Sequence, residues 1–167
     1  MRKLATMVRW IDQVTIRAAN AEDLPALVSL INRAFAIETF IDGTRTDAEH
    51  LSETMRKGDV LVAEREGKAV ACVYVELRGE RAYFGMLAVD PTQQHQGLGR
   101  LMTTAAENFG RNHGCKHMDI SVLNLRPELL PLYGRLGYSE IDIEEFHPTR
   151  PLKGDVQCHC IVMSKPL

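Results

Sequence analysis

Two glycines behind an apolar strand form the stretch of sequence best suited to binding a ligand. Residues 86–89 are apolar, Asp90 interrupts the strand pattern, and a polar loop leads to Gly97 and Gly99. Glycine has no Cβ atom, so backbone N–H groups beside it can approach a ligand closely. The first N–H groups of a following helix would lack internal partners and lie at the positive end of the helix dipole. The pattern therefore predicts a phosphate-binding site at residues 94–100.

The helix behind this loop is predicted from its periodicity. Apolar residues recur three or four positions apart, which places them on one face of a helix, and polar residues occupy the other face. The apolar face consists of Leu98, Leu101, Met102, Ala105, Ala106 and Phe109. Gly114 can end the helix, because glycine readily adopts the left-handed conformation found after helix C-termini.

Two familiar nucleotide-binding motifs do not fit the loop. The dinucleotide fingerprint needs a third glycine, and the ATP-type P-loop needs Gly-Lys followed by Ser or Thr. Neither is present. A nucleotide-binding protein of another fold is therefore disfavoured. A lone Gly-x-Gly pair is also compatible with a tight strand-to-helix connection that binds nothing.

The wider pattern resembles the acetyl-coenzyme A signature of the GNAT acetyltransferase superfamily. That signature follows an apolar strand with Gln or Arg, two residues, Gly, one residue, and Gly or Ala, which Gln94, Gly97 and Gly99 match. A second family block, a helix ending in Tyr, three residues, Gly and an aromatic residue, is similar to residues 132–138. A fainter resemblance extends over residues 14–167. Together the two blocks identify the superfamily but say nothing about the substrate.

The resemblance implies a single GNAT-like domain at residues 14–167, after an N-terminal extension at residues 1–13. The implied fold class is α/β with a mixed sheet of about seven strands, mostly antiparallel with one central parallel pair, and helices on both faces. The chain's own pattern gives the same order of elements: a strand, two helices, a three-strand meander, a helix, a strand, a helix and two strands. The crossover through residues 97–113 predicts the parallel pair.

Local signals set the expected boundaries. Asn20, with Asp23 three residues later, should cap the first helix, and residues 46–49 read as a capping box for the second, which stops near Gly58. Strands are predicted at residues 14–18, 60–64, 69–77, 83–89, 118–123, 138–145 and 157–163.

Cofactor contacts are implied by the resemblance alone. In the family the two parallel strands splay apart and the pantetheine arm lies in the gap, so backbone groups at residues 87–89 would bind it. The N–H groups of residues 95–100 would hold the pyrophosphate, and the N–H of Leu87 would donate to the thioester carbonyl. The implied cofactor-binding residues are Leu87, Ala88, Val89, Gln94, His95, Gln96, Gly97, Leu98, Gly99 and Arg100, with Asn124 and Arg126 as two further candidates.

The resemblance also supplies a reaction, direct attack of an amine on acetyl-coenzyme A. Tyr133 is the expected general acid for the departing thiolate, since a phenol with a pKa of roughly 10 is protonated at neutral pH. A tyrosine that only packs its ring is the alternative. The Asn often found before this helix corresponds either to Asn124 or to Arg126. No cysteine lies on the loops concerned, so a covalent acyl-cysteine route is disfavoured.

The general base is not identified by the sequence. Strict alternation places Tyr83, Gly85 and Leu87 on one face of their strand, and none of them is a carboxylate. Glu76 and Glu38 are the remaining candidates, although a solvated surface charge is the commoner role of glutamate.

An acceptor site is expected, by family analogy, between residues 37–46 and residues 146–156. Its candidate substrate-binding residues are Phe40, Asp42, Arg45 and Phe146. Core packing of the aromatic rings and helix-end positions for the charges are the alternative roles. The acceptor could be an amino acid, polyamine, antibiotic, small metabolite or protein N-terminus. A protein that senses acetyl-coenzyme A without turning it over is the second functional hypothesis.

Composition limits the other possibilities. A chain of 167 residues with 45% hydrophobic and 25% charged residues suits one globular domain. A net charge of −2 argues against broad nucleic-acid or anionic-membrane binding. The four cysteines form no disulfide framework, and Cys158-His159-Cys160 lacks the spacing and second ligand pair of a zinc site, so no metal is expected. Reduced thiols and the absence of a signal-peptide pattern predict a cytoplasmic protein, and a homodimer is one expected assembly.

Overall fold

Seven strands and four α-helices are formed by residues 13–167, the part of the chain that the computed structural model describes. The strands are β1 (Thr15–Ala18), β2 (Asp59–Arg65), β3 (Lys68–Arg78), β4 (Arg81–Val89), β5 (His117–Leu123), β6 (Ser139–Glu145) and β7 (His159–Pro166). The helices are α1 (Leu24–Ala34), α2 (Ala48–Lys57), α3 (Leu98–Asn112) and α4 (Leu129–Arg135). The predicted order of elements is confirmed. The expected N-terminal extension lies outside the described residues apart from its last residue.

One sheet contains all seven strands, in the order β1-β2-β3-β4-β5-β7-β6. Neighbouring strands are antiparallel except for β4 and β5, which are parallel because α3 carries the chain back across the sheet between them. The mixed sheet with one central parallel pair, predicted from the sequence, is confirmed.

Two hydrophobic clusters cover the two faces of the sheet. One cluster joins α1 and α2 to β2, β3 and β4, with Leu27, Ile31 and Leu51 fully buried in it. The other joins α3 and α4 to the opposite face, with Met102 and Tyr133 among its buried members. The predicted placement of helices on both faces is confirmed. No helix within residues 13–167 is long and apolar enough to span a bilayer.

The capping of α2 differs from the prediction by one residue. Asp47, rather than Thr46, is the N-cap, and its side chain accepts a 2.8 Å hydrogen bond from the N–H of His50. Thr46 is buried instead, because Asn32 bonds both its N–H and its carbonyl oxygen, at 2.9 and 3.0 Å. Asn20 caps the 3₁₀ turn Ala21–Asp23 through a reciprocal capping box with Asp23, and this turn leads directly into α1, whose own N-cap is Asp23 rather than the predicted Asn20.

Candidate active site

The parallel pair β4–β5 opens into a wedge. The two strands pair only where Arg81, Ala82 and Tyr83 face His117, Met118 and Asp119. Beyond that point β4 remains paired with β3 and β5 remains paired with β7. The strands therefore separate over residues 84–89 and 120–123, which leaves a gap in the middle of the sheet.

An ion pair closes the narrow end of this wedge. The guanidinium of Arg81 donates two 2.7 Å hydrogen bonds to the carboxylate of Asp119 and a third, at 2.9 Å, to the hydroxyl of Ser164. Burial would raise the pKa of Asp119, but the hydrogen bonds from Arg81 and Ser164 outweigh it and hold that pKa below its usual value. Three strands are thus tied together where the two sides of the gap meet.

A β-bulge in β4 turns its side chains over within the wedge. Two residues, Met86 and Leu87, lie opposite the single residue Val73 of β3, and Met86 has a left-handed φ of 48°. Tyr83 and Met86 consequently face the α1 side, whereas Leu87 faces the α3 side. The prediction that Tyr83 and Leu87 share a face is wrong, because the bulge adds one residue to the alternation.

The loop from Asp90 to Gly97 is built from local hydrogen bonds and two left-handed residues. Asp90 accepts hydrogen bonds from the N–H and the hydroxyl of Thr92, at 2.9 and 2.8 Å, and so closes a 3₁₀ turn after the strand. His95 has φ 63° and Gly97 has φ 83°, and α3 begins immediately afterwards. The structure thus confirms the predicted connection from strand to helix. The first N–H groups of α3 have no partner within the helix and point into this loop.

Arg65, at the end of β2, lies behind the same loop and was not identified from the sequence. Its residue is only 8% exposed, and its guanidinium donates to the side-chain oxygens of Gln93 and Gln96. A buried positive charge at this position adds to the positive potential of the helix terminus. In the sequence Arg65 stands next to the turn of an ordinary β-hairpin. Its place behind the loop could have been found only by knowing that the end of β2 lies beside that loop.

Tyr133 lies on α4 beside the wedge. Its ring packs against Phe84 of β4 and against Tyr138, with centroid distances of 6.1 and 5.9 Å. Burial raises the pKa of Tyr133 to about 12, although the charge of Arg126 opposes this rise. Among residues 13–167 its hydroxyl has no hydrogen-bond partner. The group is therefore a protonated phenol whose hydrogen is not donated to any other residue of the range 13–167.

Asn124 and Arg126 occupy different surroundings. Asn124 accepts a 2.9 Å hydrogen bond from the N–H of His159, so it holds the start of β7. Arg126 bonds Glu128 at 2.5 Å and lies 3.6 Å from Glu38, and only 17% of its side chain is exposed. Asn124 is uncharged, whereas the positive charge of Arg126 lowers the pKa of Tyr133.

Two connections meet on the α1 side of the wedge. The segment at residues 38–46 pairs with residues 150–153 through hydrogen bonds from Asp42 to Pro151 and from Lys153 to Phe40, at 2.8 and 2.9 Å. Ile41 and Leu152 form an isolated antiparallel bridge there, and Arg150 also bonds the carboxylate of Asp47. The two segments expected to form an acceptor site are therefore adjacent.

The four candidate substrate-binding residues differ in their surroundings. Phe40 and Phe146 are half-buried, Asp42 is exposed, and Arg45 is half-buried with its guanidinium 5.3 Å from the ring centre of Phe35. The charge of Arg45 acts on Glu38 and on Tyr83. Arg45 is thus the candidate whose charge reaches the interior, whereas Asp42 faces outward.

The two glutamates left open as bases also differ. Glu76 accepts hydrogen bonds from Tyr74 and Arg78, at 2.7 and 3.0 Å, and its pKa is lowered, mainly by Arg78. Glu38 is 7% exposed and burial raises its pKa. The expectation of a solvated surface charge is wrong for Glu38, because the segment that bridges to residues 150–153 folds it inward.

All four cysteines are free thiols, with Cys72 and Cys115 buried and Cys158 and Cys160 half-buried. Within residues 13–167 no group of three or more His, Cys, Asp or Glu residues is arranged to hold a metal ion. Burial and the charge of Glu38 raise the pKa of Cys158, and Cys160 contributes to the raised pKa of Tyr83, so the two thiols lie near those two residues.

Comparison with known proteins decides the family. The model of the acetyltransferase (GNAT) family matches residues 24–138, which span α1 to the end of the second block predicted from the sequence. The chain belongs to the GNAT acetyltransferase family. The GNAT resemblance predicted from the sequence is therefore confirmed, and with it the assignment of an acetyl-coenzyme A-dependent acetyltransferase.

The relatives agree with this GNAT assignment. The ribosomal protein bS18-alanine N-acetyltransferase of Escherichia coli is 27% identical over 154 residues, which cover 92% of this chain and 97% of that protein. Its crystal structure superposes with a TM-score of 0.76 at 24% identity, covering 92% and 93% of the two chains. A Salmonella typhimurium protein solved with acetyl-coenzyme A gives a TM-score of 0.70 at 21% identity, over 93% and 94% of the two chains. These structures share the GNAT fold.

Proposed function

We propose that the protein transfers the acetyl group of acetyl-coenzyme A to a primary amine of a small molecule or peptide by direct attack. One observation carries the proposal: the wedge between β4 and β5 has the N-terminus of α3 at its open end and, at its side, the hydroxyl of Tyr133, which has no hydrogen-bond partner among residues 13–167. The reaction requires a binding site for a phosphate-bearing thioester and a proton donor for the leaving thiolate, and this arrangement offers both.

The wedge and loop fit the coenzyme in two respects. Strand β4 has no β5 partner beyond Tyr83, so the backbone of residues 87–89 can pair with the pantetheine amides as an added strand. The loop at residues 94–100, backed by Arg65, offers main-chain N–H groups and positive potential to the pyrophosphate. In this proposal the N–H of Leu87 stabilises the thioester oxygen as negative charge develops there. The coenzyme supplies the activated acetyl group.

Tyr133 is the proposed general acid. Its raised pKa, about 12, keeps the phenol protonated throughout the physiological range, so it can give its proton to the departing thiolate. Arg126 stands near enough to influence that phenol, and it is the proposed occupant of the position where many family members have an Asn. Asn124 holds β7 and is proposed as a secondary contact only.

The acceptor is proposed to enter from the opposite face, under the roof formed by residues 38–46 and 150–153. Phe40, Asp42 and Arg45 are the proposed substrate-binding residues. The E. coli relative is named for acetylating an alanine of a ribosomal protein, which supports a peptide N-terminus as one acceptor class and a cytoplasmic location.

The test is a binding measurement followed by an acceptor screen. Calorimetry should detect binding of acetyl-coenzyme A to the protein, and ATP and NAD should not compete for its site. The protein is then incubated with acetyl-coenzyme A and benzylamine, spermidine, lysine or a hexapeptide with N-terminal alanine, and acetylated products are detected by mass spectrometry. We expect acetylation of at least one amine class. Binding without acetylation of any class would favour a non-catalytic sensor, and the absence of binding would exclude both.

A further inference from the structure

Glu38 carries a buried oxygen atom that has no hydrogen-bond partner among residues 13–167. Its Oε1 atom lies 3.6 Å from the guanidinium of Arg126, whereas Oε2 is buried and accepts no hydrogen bond within residues 13–167. Leaving a buried carboxylate oxygen unsatisfied is unfavourable, and native proteins rarely do so without a functional reason. The atom indicates a missing hydrogen-bond donor at this position.

The groups around Glu38 come from three parts of the chain. Arg45 lies in the same connection, Arg126 and Glu128 precede α4, and Cys158 precedes β7. Burial raises the pKa of Glu38, the two arginines lower it and Glu128 raises it, and the net direction is upward. A carboxylate of raised basicity accepts a proton more readily near neutral pH than an exposed one does.

The position of Glu38 is also held. The hydrogen bonds of residues 40–42 to residues 151–153 fix the connection that carries it, and Arg126 holds one of its two oxygens. Arg126 acts on the pKa of Tyr133 as well, so the charge of a single arginine influences both the proposed acid and this carboxylate. A catalytic group must be held in this way by its surroundings to act at a defined point.

We infer that Glu38 is a catalytic residue that binds the ammonium group of the acceptor through Oε2 and removes one proton from it. Arg126 is a positioning residue that pairs with Oε1, while the hydrogen-bonding capacity of Oε2 is unused within residues 13–167. The inference rests on the proposed function and names its acceptor class: an amine that is cationic in solution, such as an aliphatic amine or a peptide N-terminus.

The proton and electron balance follows from ordinary aminolysis. The ammonium gives one proton to Oε2 of Glu38, and the freed nitrogen lone pair forms the C–N bond to the acetyl carbon. The C–S bond breaks with its electron pair on sulfur, and the thiolate takes the proton of the Tyr133 hydroxyl. The second nitrogen proton replaces the one lost by Tyr133, and Glu38 returns its proton to water.

The test compares Glu38→Gln with Glu128→Gln, which removes a neighbouring, mostly exposed carboxylate that also bonds Arg126. The acceptor is the amine with the highest turnover in the panel, and kcat/KM is measured between pH 6 and 9.5. We expect Glu38→Gln to lower kcat/KM at least 100-fold at pH 7, and the deficit should shrink about tenfold per pH unit as the neutral amine accumulates. Glu128→Gln should stay within threefold of the wild type.

The role of Arg126 is tested by the pH at which kcat/KM rises as Glu38 loses its proton, the rising limb of the same pH profile. Removing a positive charge beside Glu38 raises its pKa, so Arg126→Gln should move the limb to higher pH, and Arg126→Lys should leave it in place. A loss of folding or binding alone would not move the limb.

Each outcome bears on a separate statement. A Glu38→Gln variant within threefold of the wild type at every pH would overturn the inference. So would one that also loses coenzyme A affinity by calorimetry, because Glu38 would then have a structural role. Failure of the wild-type protein to acetylate any amine would overturn the proposed function itself, a result visible before any variant is made.

Discussion

Gly97 is the residue on which the geometry of the candidate phosphate loop depends most directly. Its φ of 83° and ψ of 8° lie in the left-handed region, immediately before the first residue of α3. A side chain there clashes with the backbone, at about 1–2 kcal/mol. The same conformation recurs at Gly79, in the turn between β3 and β4, where an added Cβ would meet no atom within 4 Å.

We therefore expect Gly97→Ala to lower both the free energy of unfolding, by about 1 kcal/mol, and the affinity for acetyl-coenzyme A, by tenfold or more. Gly79→Ala carries the same backbone strain at the far end of β4, so it should lose similar stability and keep its affinity. Chemical denaturation and calorimetry measure the two quantities. Equal affinities in the two variants would remove Gly97 from the binding loop.

Tyr133→Phe should lower kcat on the order of 100-fold and leave affinity for coenzyme A and stability nearly unchanged. The ring contacts with Phe84 and Tyr138 survive the substitution, and within residues 13–167 the hydroxyl bonds nothing. Because the pKa of Tyr133 is about 12, wild-type activity should show no loss from its ionisation up to about pH 10.

Tyr138→Phe is the matched control, since Tyr138 donates a buried 2.9 Å hydrogen bond to Glu107. It should show the opposite pattern: stability falls by about 1 kcal/mol, and kcat stays near the wild-type value. A Tyr133→Phe enzyme with full turnover at saturating acetyl-coenzyme A would leave the thiolate to be protonated by another group.

The sequence reveals a functional residue when the neighbours that give it its role are close to it in the chain. The glycines, Gln94 and Tyr133 stand in short motifs whose spacing follows from a loop or a helix turn. Glu38 and Arg65 acquire their surroundings only from distant segments, residues 150–153 and 90–97, so their local sequence resembles that of surface charges. Burial at those positions becomes visible only in the folded chain.

At the scale of elements, the narrow end of the wedge depends on the ion pair between β4 and β5. The pair of Arg81 with Asp119 is bidentate and partly buried, with side-chain exposures of 43% and 18%. Lys116 and Glu80 also form an ion pair, but both side chains are largely exposed, at 65% and 73%. Exposed pairs contribute little to stability, and bidentate, partly buried pairs contribute more.

Arg81→Met should accordingly lower the free energy of unfolding by roughly 1 kcal/mol, whereas Lys116→Met should change it by less than about 0.5 kcal/mol. Urea unfolding at low ionic strength measures both. Equal effects would mean that the pairing of residues 81–83 with residues 117–119 is stable without the ion pair of Arg81 and Asp119.

The elements themselves were largely predictable. Periodicity placed α3 and all seven strands within a few residues of their observed bounds, and the crossover rule supplied the parallel pair. The bulge in β4 could not be found in this way, since Met86 carries none of the usual glycine signal for a left-handed residue. The position of the bulge is set by the register in which β4 pairs with β3, and a register depends on both strands.

For the molecule as a whole, several carboxylates with lowered pKa values link stability to pH. Hydrogen bonds from Arg17 hold the pKa of Asp23 near 2, well below its usual value, and Asp119 is lowered in the same direction. The unfolded chain binds protons at these groups before the folded protein does. Their stabilising contribution is therefore present above about pH 4 and is lost as the pH falls towards 2.

The thermal midpoint should consequently fall steeply between about pH 4 and pH 2, and Arg17→Met should make that fall shallower. Arg135→Met removes an exposed charge that has no partner within the described part of the chain, so it should leave the slope unchanged. Differential scanning calorimetry at a series of pH values tests this. An unaltered slope in Arg17→Met would assign the acid sensitivity to other carboxylates.

The wedge has a kinetic consequence. In the proposed function the coenzyme binds on the side of the loop and Tyr133, and the acceptor enters on the side of residues 38–46, so neither substrate would block the entrance of the other. Both would then be bound at once, with no acylated protein formed between them. Double-reciprocal plots at several fixed amine concentrations should therefore intersect, as in a sequential ternary-complex mechanism, and parallel lines would contradict it.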